Sequence, residues 1–225
     1  MPSYDYIASL ACYGEFHAGT FERMVERRRE AWFGDDGSGL IRDQKMRSVF
    51  FTEQQRRAWD TNGHESRRDS YEVTLVVFGP GEFFGLRRQL ARLAADPESI
   101  VDRLERTRSL SLHGIHQLVG EALVPATLRK ILFELAAGMP DAETVQGAHD
   151  ELKRSGIGVG RDERGHREEL IFDSDTLELL GYRQVLLDPD AGYAPVDSIV
   201  GYSSYLTRSV VAGLPDGTPP PPGSD

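Results

Sequence analysis

The stretch Ile157-Gly-Val-Gly-Arg-Asp-Glu-Arg-Gly-His-Arg-Glu-Glu-Leu-Ile-Phe-Asp-Ser-Asp-Thr176 decides the fold. Ile157-Gly-Val159 is a short strand, and Asp162-Glu-Arg-Gly165 carries the chemistry of a turn. Leu170-Ile-Phe172 is the next apolar run, Asp173-Ser-Asp-Thr176 turns the chain again, and Leu177 to Leu187 runs back. Period two sets in from Thr144, so the whole stretch reads as a β-meander with antiparallel, hairpin-connected strands.

Upstream the period changes to that of a helix. Pro125 opens a helix in which Leu128, Ile131, Leu132 and Leu135 form an apolar stripe, and Gly138 and Pro140 stop it. An earlier helix from about His113 places Ile115, Leu118, Val119 and Ala122 at the i, i+3, i+4, i+7 spacing. Asp96-Pro-Glu98 starts a further one. Asp96 caps free amides, Pro97 suits the first helical position, Glu98 favours the positive end of the helix dipole, and Ile100, Val101 and Leu104 share a face.

The N-terminal part reads as strands. Tyr4 to Tyr13 alternates in part, and Tyr71 to Phe78 is β-branched and apolar, which predicts a buried strand. Phe21 to Phe33 fits a helical stripe through Phe21, Met24, Val25, Arg28 and Trp32, and equally period two through Val25, Arg27, Arg29, Ala31 and Phe33. The turn signal Gly34-Asp-Asp-Gly-Ser-Gly39 and the resumed run at Leu40-Ile41 favour a hairpin. Residues 53 to 70, polar around Trp59, read as an irregular excursion or a short helix. Strands, then helices, then strands predict an α+β fold: a curved antiparallel sheet, half-barrel-like, covered on one face by two or three helices. Residues 1–213 form the single expected domain, and 214–225, with Pro219 to Pro222, the expected disordered proline-rich tail.

Composition bounds the function. A chain of 225 residues buries a core without disulfide help, and the lone Cys12 excludes an internal disulfide and a cysteine-built zinc site. With 36 acidic against 26 basic side chains and a net charge of -10, nonspecific nucleic-acid binding is not expected. Arginine outnumbers lysine 23 to 3, and Arg27-Arg28-Arg29, bracketed by Glu22, Glu26 and Glu30, reads as a solvated, self-paired face. The N-terminus shows no basic start followed by an apolar run, and no window suffices for a membrane span, so the expected location is cytoplasmic.

Several constellations carry chemistry in principle. Glu15 and His17 lie two apart on a strand, which places a carboxylate beside an imidazole as a general-base pair, and Asp60 and His64, four apart near Trp59, do the same if that segment is helical, with solvent-facing pairs as the plainer alternative for both. Tyr4, Tyr6, Tyr13, Trp32 and Trp59 are candidates to line a hydrophobic groove, with core packing as the plainer alternative. His113 and His116 have metal-ligand spacing on a helix, but Gly114 weakens that turn and they read as surface or helix-start histidines; no metal and no cofactor are expected. Gly156-Ile-Gly-Val-Gly160 precedes a turn rather than a helix, which argues against a dinucleotide site. Cys12 reads as a buried, inert thiol.

Three segments carry a family likeness: Leu-Ala-Ala-Asp-Pro-Glu-Ser-Ile (93–100), Leu-Val-Pro-Ala-Thr-Leu-Arg-Lys-Ile-Leu-Phe-Glu-Leu-Ala-Ala-Gly-Met-Pro (123–140) and Glu-Glu-Leu-Ile-Phe-Asp-Ser-Asp-Thr (168–176). Together with Asp36-Gly-Ser-Gly39 before Ile41-Arg42, they resemble the outer domain of an uncharacterised actinobacterial family of anti-sigma-like, membrane-anchored proteins. The resemblance, from about Tyr4 to Leu187, implies a lipoprotein-carrier-like half-barrel around an apolar groove. Where the family has a glycine after the Asp-x-Asp-Thr turn, this chain has Leu177. The family's cytoplasmic segment and membrane helix are not in this sequence, so it is expected to be a released domain or one recruited to a soluble task. The resemblance implies a noncatalytic carrier or sensor domain for an apolar small molecule, lipid or peptide segment; a protein-interaction module, which the acidic composition and the proline tail fit, is a further reading. The alternative is an enzyme, a cofactor-free cyclase or isomerase of secondary metabolism working in a β-rich apolar pocket with Glu15, His17, Asp60 and His64 as acid and base. The sequence leaves open whether the chain is catalytic.

Overall fold

The computed structural model of the chain describes residues 3–17, 20–61, 73–81, 96, 111–120 and 123–220. His64, the helix expected after Asp96 and the last five residues lie outside them.

Four strands come first: β1 (Tyr4–His17), β2 (Thr20–Gly34), β3 (Gly39–Val49) and β4 (Val73–Phe78), with α1 (Glu53–Thr61) between the last two. Among the described residues two helices follow, α2 (Leu112–Gly120) and α3 (Ala126–Ala137). Five more strands complete the chain: β5 (Glu143–His149), β6 (Ser155–Glu163), β7 (His166–Phe172), β8 (Leu179–Leu186) and β9 (Ile199–Val211). The strand order is β4-β3-β2-β1-β9-β8-β7-β6-β5, and every pairing is antiparallel. The fold is therefore α+β, an open curved sheet of nine strands with helices, as the element pattern predicted. Two meanders, β1–β4 and β5–β9, are joined where β9 lies beside β1, with Tyr4 opposite Val211 and Tyr13 opposite Gly201.

Local chemistry sets the turns. At the β2–β3 turn Asp36 Oδ1 accepts from Ser38 N at 2.9 Å and from Ser38 Oγ at 2.6 Å, while Gly37 takes a φ of 83° that suits glycine. Arg164 and Gly165 both have positive φ, 51° and 80°, as the tight β6–β7 hairpin requires. Asp173 Oδ1 accepts from the amides of Asp175 (3.1 Å) and Thr176 (2.8 Å), and those bonds hold its carboxyl below the usual range. Leu177 then adopts φ 54°, the left-handed conformation at the position where the resembling family carries glycine. Helix α1 starts with a capping box: Gln55 N donates to Thr52 Oγ1, and Thr52 N donates to Gln55 Oε1, both at 3.1 Å.

The main core lies between one face of the sheet and the two later helices. Leu112, Ile115 and Val119 of α2 and Leu128, Leu132 and Ala136 of α3 pack against Ile7, Phe33, Val159, Leu170, Phe172 and Tyr182. Each fully buried leucine or isoleucine there contributes about 2 kcal/mol by leaving water. The other face carries a smaller cluster of Tyr4, Trp32 and Leu40, with Tyr6, Val211 and Leu214 against it. Beside that cluster runs a ladder of charges across strands: Glu30 accepts from Arg42 at 2.6 Å and from Tyr6 OH at 2.8 Å, and Glu26 accepts from Arg47 at 3.1 Å and from Tyr202 OH at 2.7 Å.

Two sequence readings change, and a third is borne out. The run ending at Phe78 is an edge strand, not a buried one: Val73, Leu75 and Val76 are more than 40% exposed. Strand β9, for which no turn or run was singled out, lies at the middle of the sheet. The glycines of Gly156-Ile-Gly-Val-Gly160 belong to β6 and serve packing, since a Cβ at Gly156 would lie 2.1 Å from Phe172 O and one at Gly160 would lie 2.7 Å from the Arg167 guanidinium.

Candidate functional site

Register and the two-residue period of strands bring one set of side chains to the helix-covered face. Ser9 stands opposite Arg29 on β2 and Tyr205 on β9, and Ala11 opposite Arg27 and Ser203. Arg29 in turn pairs with Asp43 of β3. Further along the same face Ile7 and Ala31 belong to the core. Here the sheet turns polar, and α2 reaches over it only with His116, Gln117 and Gly120. The result is a cleft of about 450 Å³, also lined by Tyr13.

Its groups are held in place. The hydroxyls of Tyr13 and Ser203 share a hydrogen bond. Burial raises the Tyr13 phenol above its ordinary range, and Arg29 works against that shift. Tyr205 OH meets His116 Nδ1 at 3.0 Å, and the imidazole stacks on Tyr182 with centroids 4.5 Å apart. Tyr182 OH donates to Glu168 Oε1 at 3.1 Å and meets His113 Nδ1 at 3.2 Å, while Glu168 Oε2 accepts from His113 N at 3.2 Å in the first turn of α2. Behind Tyr205, Arg208 lies 3.8 Å from the ring centroid and donates to Leu179 O at 3.1 Å. Burial, with His113 and Arg208 as neighbouring charges, lowers His116 to about 3, so its ring is neutral near pH 7.

The structure separates the residues singled out from the sequence. Tyr13 lines the cleft, whereas Tyr4, Tyr6 and Trp32 sit in the cluster on the other face. Trp59 packs beneath the Arg23 guanidinium, 4.1 Å away, and near Phe50. Glu15 is held by Arg23 at 2.9 Å and Arg27 at 3.1 Å. Asp60 is exposed on α1 and pairs with Arg56 at 3.3 Å. His17 ends β1 opposite Thr20, and His64 lies outside the described residues. Cys12 is buried, and burial pushes its thiol up to about 12.

Other residues emerge only in three dimensions. His116 is 8% exposed rather than at the surface, because α2 turns it onto Tyr182. Arg27 finds its acid in Glu15 across the β1–β2 pair and not in its sequence neighbours. Arg27 and Arg29 were legible as same-face residues in the period-two reading, but their cleft needed the register of β9, as did Ser203 and Tyr205. Among the described residues no group of three or more histidines, cysteines or acids could hold a metal ion, and no helix is long and apolar enough to cross a membrane. A second cleft of about 370 Å³ lies between the start of α1 and residues 192–195, where Gln55 Nε2 donates to Tyr193 O at 2.5 Å.

No family model matches the sequence, and no curated protein is similar to it at a significant level. Among solved structures, the chain is distantly similar to MucB in its complex with MucA(peri), with a TM-score of 0.33 and 13% identity over 95% of this chain. The chain spans about half of that MucB chain, 52% of its length. The partner there is a periplasmic segment, which is at odds with the cytoplasmic location expected from the N-terminus, and that expectation is withdrawn.

Proposed function

We propose that this chain is a noncatalytic binding domain whose site is the cleft between α2 and strands β1, β2, β3 and β9. The observation that supports this most is the cleft's construction. About 450 Å³ of open space falls within the size range of small-molecule sites, and its polar side chains are fixed by partners behind them. Such pre-fixed groups lower the ordering cost of binding. The occupant is a small molecule or a short peptide segment with an apolar portion, for which the tyrosine rings and Ala11 give contact surface. The reading stands on the cleft and not on the distant structural likeness. The alternative of a cyclase or isomerase has no observation in its favour among the described residues, since Glu15 and Asp60 are tied into ion pairs and neither lines the cleft.

Native mass spectrometry of the purified chain, followed by denaturation and analysis of what is released, tests this reading. A stoichiometric small molecule, or one taken up from host extract, supports it. A protein that stays bare after incubation with host extract overturns it.

A further inference from the structure

The cleft has a chemical sign of its own. Arg27 and Arg29 stand two residues apart on one face of β2, so both guanidinium groups reach the same side, and among the described residues Asp43 is the acid that also lines it. Arg27 makes one hydrogen bond among the described residues, from Nη2 to Glu15 at 3.1 Å, out of the five N–H groups that a guanidinium carries. The planar fork of arginine suits the flat or trigonal oxygens of an organic anion.

Two further features select the body attached to that anion. The tyrosine rings and Ala11 offer apolar wall, and Gly120 keeps the opening clear, because a Cβ there would come within 2.9 Å of Tyr205 OH. His116 lines the same cleft although it is only 8% exposed, and its Nδ1 is taken by Tyr205 while Nε2 has no hydrogen-bond partner among the described residues. With Nδ1 engaged, Nε2 is the ring nitrogen left to hydrogen-bond an occupant of the cleft.

The geometry points to a small amphiphilic organic anion as the occupant: a carboxylate or sulfonate head at Arg27 and Arg29, an aromatic or short alkyl body against Tyr13 and Ala11, and a hydrogen-bonding group at His116. This deepens the binding reading above and rests on it. It also replaces the wholly apolar ligand expected from the family likeness, since the described core on this face is filled by α2 and α3.

A matched pair of fluorescent probes separates the two claims. The anion 8-anilinonaphthalene-1-sulfonate and the neutral N-phenyl-1-naphthylamine share a fused-ring body and differ in the charged head. Fluorescence titration of the full chain at pH 7.5 is expected to show saturable, one-to-one binding of the anion at least about tenfold tighter than the neutral probe. Arg27→Gln should weaken the anion by about tenfold and leave the neutral probe unchanged, with Arg27→Lys intermediate; Arg29→Gln serves as the second variant if the first fails to fold. Equal affinity for both probes, or an anion affinity indifferent to both arginine variants, overturns the anion assignment while leaving a binding cleft. Binding of neither probe overturns the assignment, and the mass-spectrometric result then decides the binding reading separately.

Discussion

Acidification from pH 7.5 to 5 perturbs one group in this protein more than its surroundings tolerate. The His116 ring is neutral in the folded state because it is buried against Tyr182 and Tyr205 with His113 and Arg208 nearby, which lowers it from 6.5 to about 3. Unfolding returns it to water and to its ordinary value. Between those two values the unfolded state binds a proton that the folded state refuses, so stability rises with pH across the window, is full above 6.5 and is lost as pH falls towards 3. At pH 5 the loss is about 2 kcal/mol, from about 1.4 kcal/mol per pH unit over the span from 6.5. Urea unfolding followed by circular dichroism at pH 7.5 and pH 5 measures it, with His116→Leu as the comparison. The variant starts less stable, since Tyr205 OH loses its partner, but its drop between the two pH values should be smaller by about 2 kcal/mol. Asp173, held below its ordinary range, acts at lower pH and leaves the span from pH 7.5 to 5 untouched. An equal drop in variant and wild type would refute the argument, because the imidazole would then not be the buried neutral group described.

Other positions give sharper structural tests. Gly156→Ala places a Cβ 2.1 Å from Phe172 O and should cost about 3 kcal/mol in urea unfolding, whereas a cost under 1 kcal/mol would mean that the β6–β7 register is wrong. Leu177→Gly releases about 1 kcal/mol of left-handed strain against a similar glycine entropy cost, so stability should stay within about 0.5 kcal/mol, and Leu177→Val should be the less stable of the two. Arg208→Met removes donors to Leu179 O and Val119 O and should cost about 3 kcal/mol, read as an unfolding midpoint; an unchanged midpoint contradicts its clamping of α2 onto the sheet.

How far the sequence carried depends on the range of the interaction behind each element. The β6–β8 meander is written in local signals, Asp162 to Gly165 and Asp173 to Thr176, and the structure turns at both. Helix α3 is equally local, opened at Pro125 and closed at Gly138. Strand β9 was not legible as an element, although Ile199-Val-Gly-Tyr-Ser-Ser-Tyr is β-prone, because its place depends on pairing with β1 about 190 residues earlier. A register shift between Ala8 and Ser9 also breaks its alternation, and the buried Ser203 and Ser204 give no apolar signal. The site suffers from the same range. Tyr13 was named, but its partner Ser203 and the His116–Tyr205 bond join segments far apart in sequence. Arg27-Arg28-Arg29 looked self-paired, and Arg28 does reach Glu30 at 3.6 Å, yet strand geometry sends Arg27 and Arg29 to one face and Arg28 to the other. The thiol reading of Cys12 needed only its apolar neighbours, and the structure buries it.

The central claim is that one cleft, bounded by α2 and the β9–β1–β2–β3 strands, is where this protein binds. Two-dimensional amide NMR of isotope-labelled protein, titrated with 8-anilinonaphthalene-1-sulfonate, tests it most directly. The account predicts shifts concentrated at residues that line the cleft, among them Ser9, Ala11, Arg27, Gln117, Gly120 and Ser203. Shifts confined to Gln55 and residues 192–195, or spread evenly over the sheet, would contradict it.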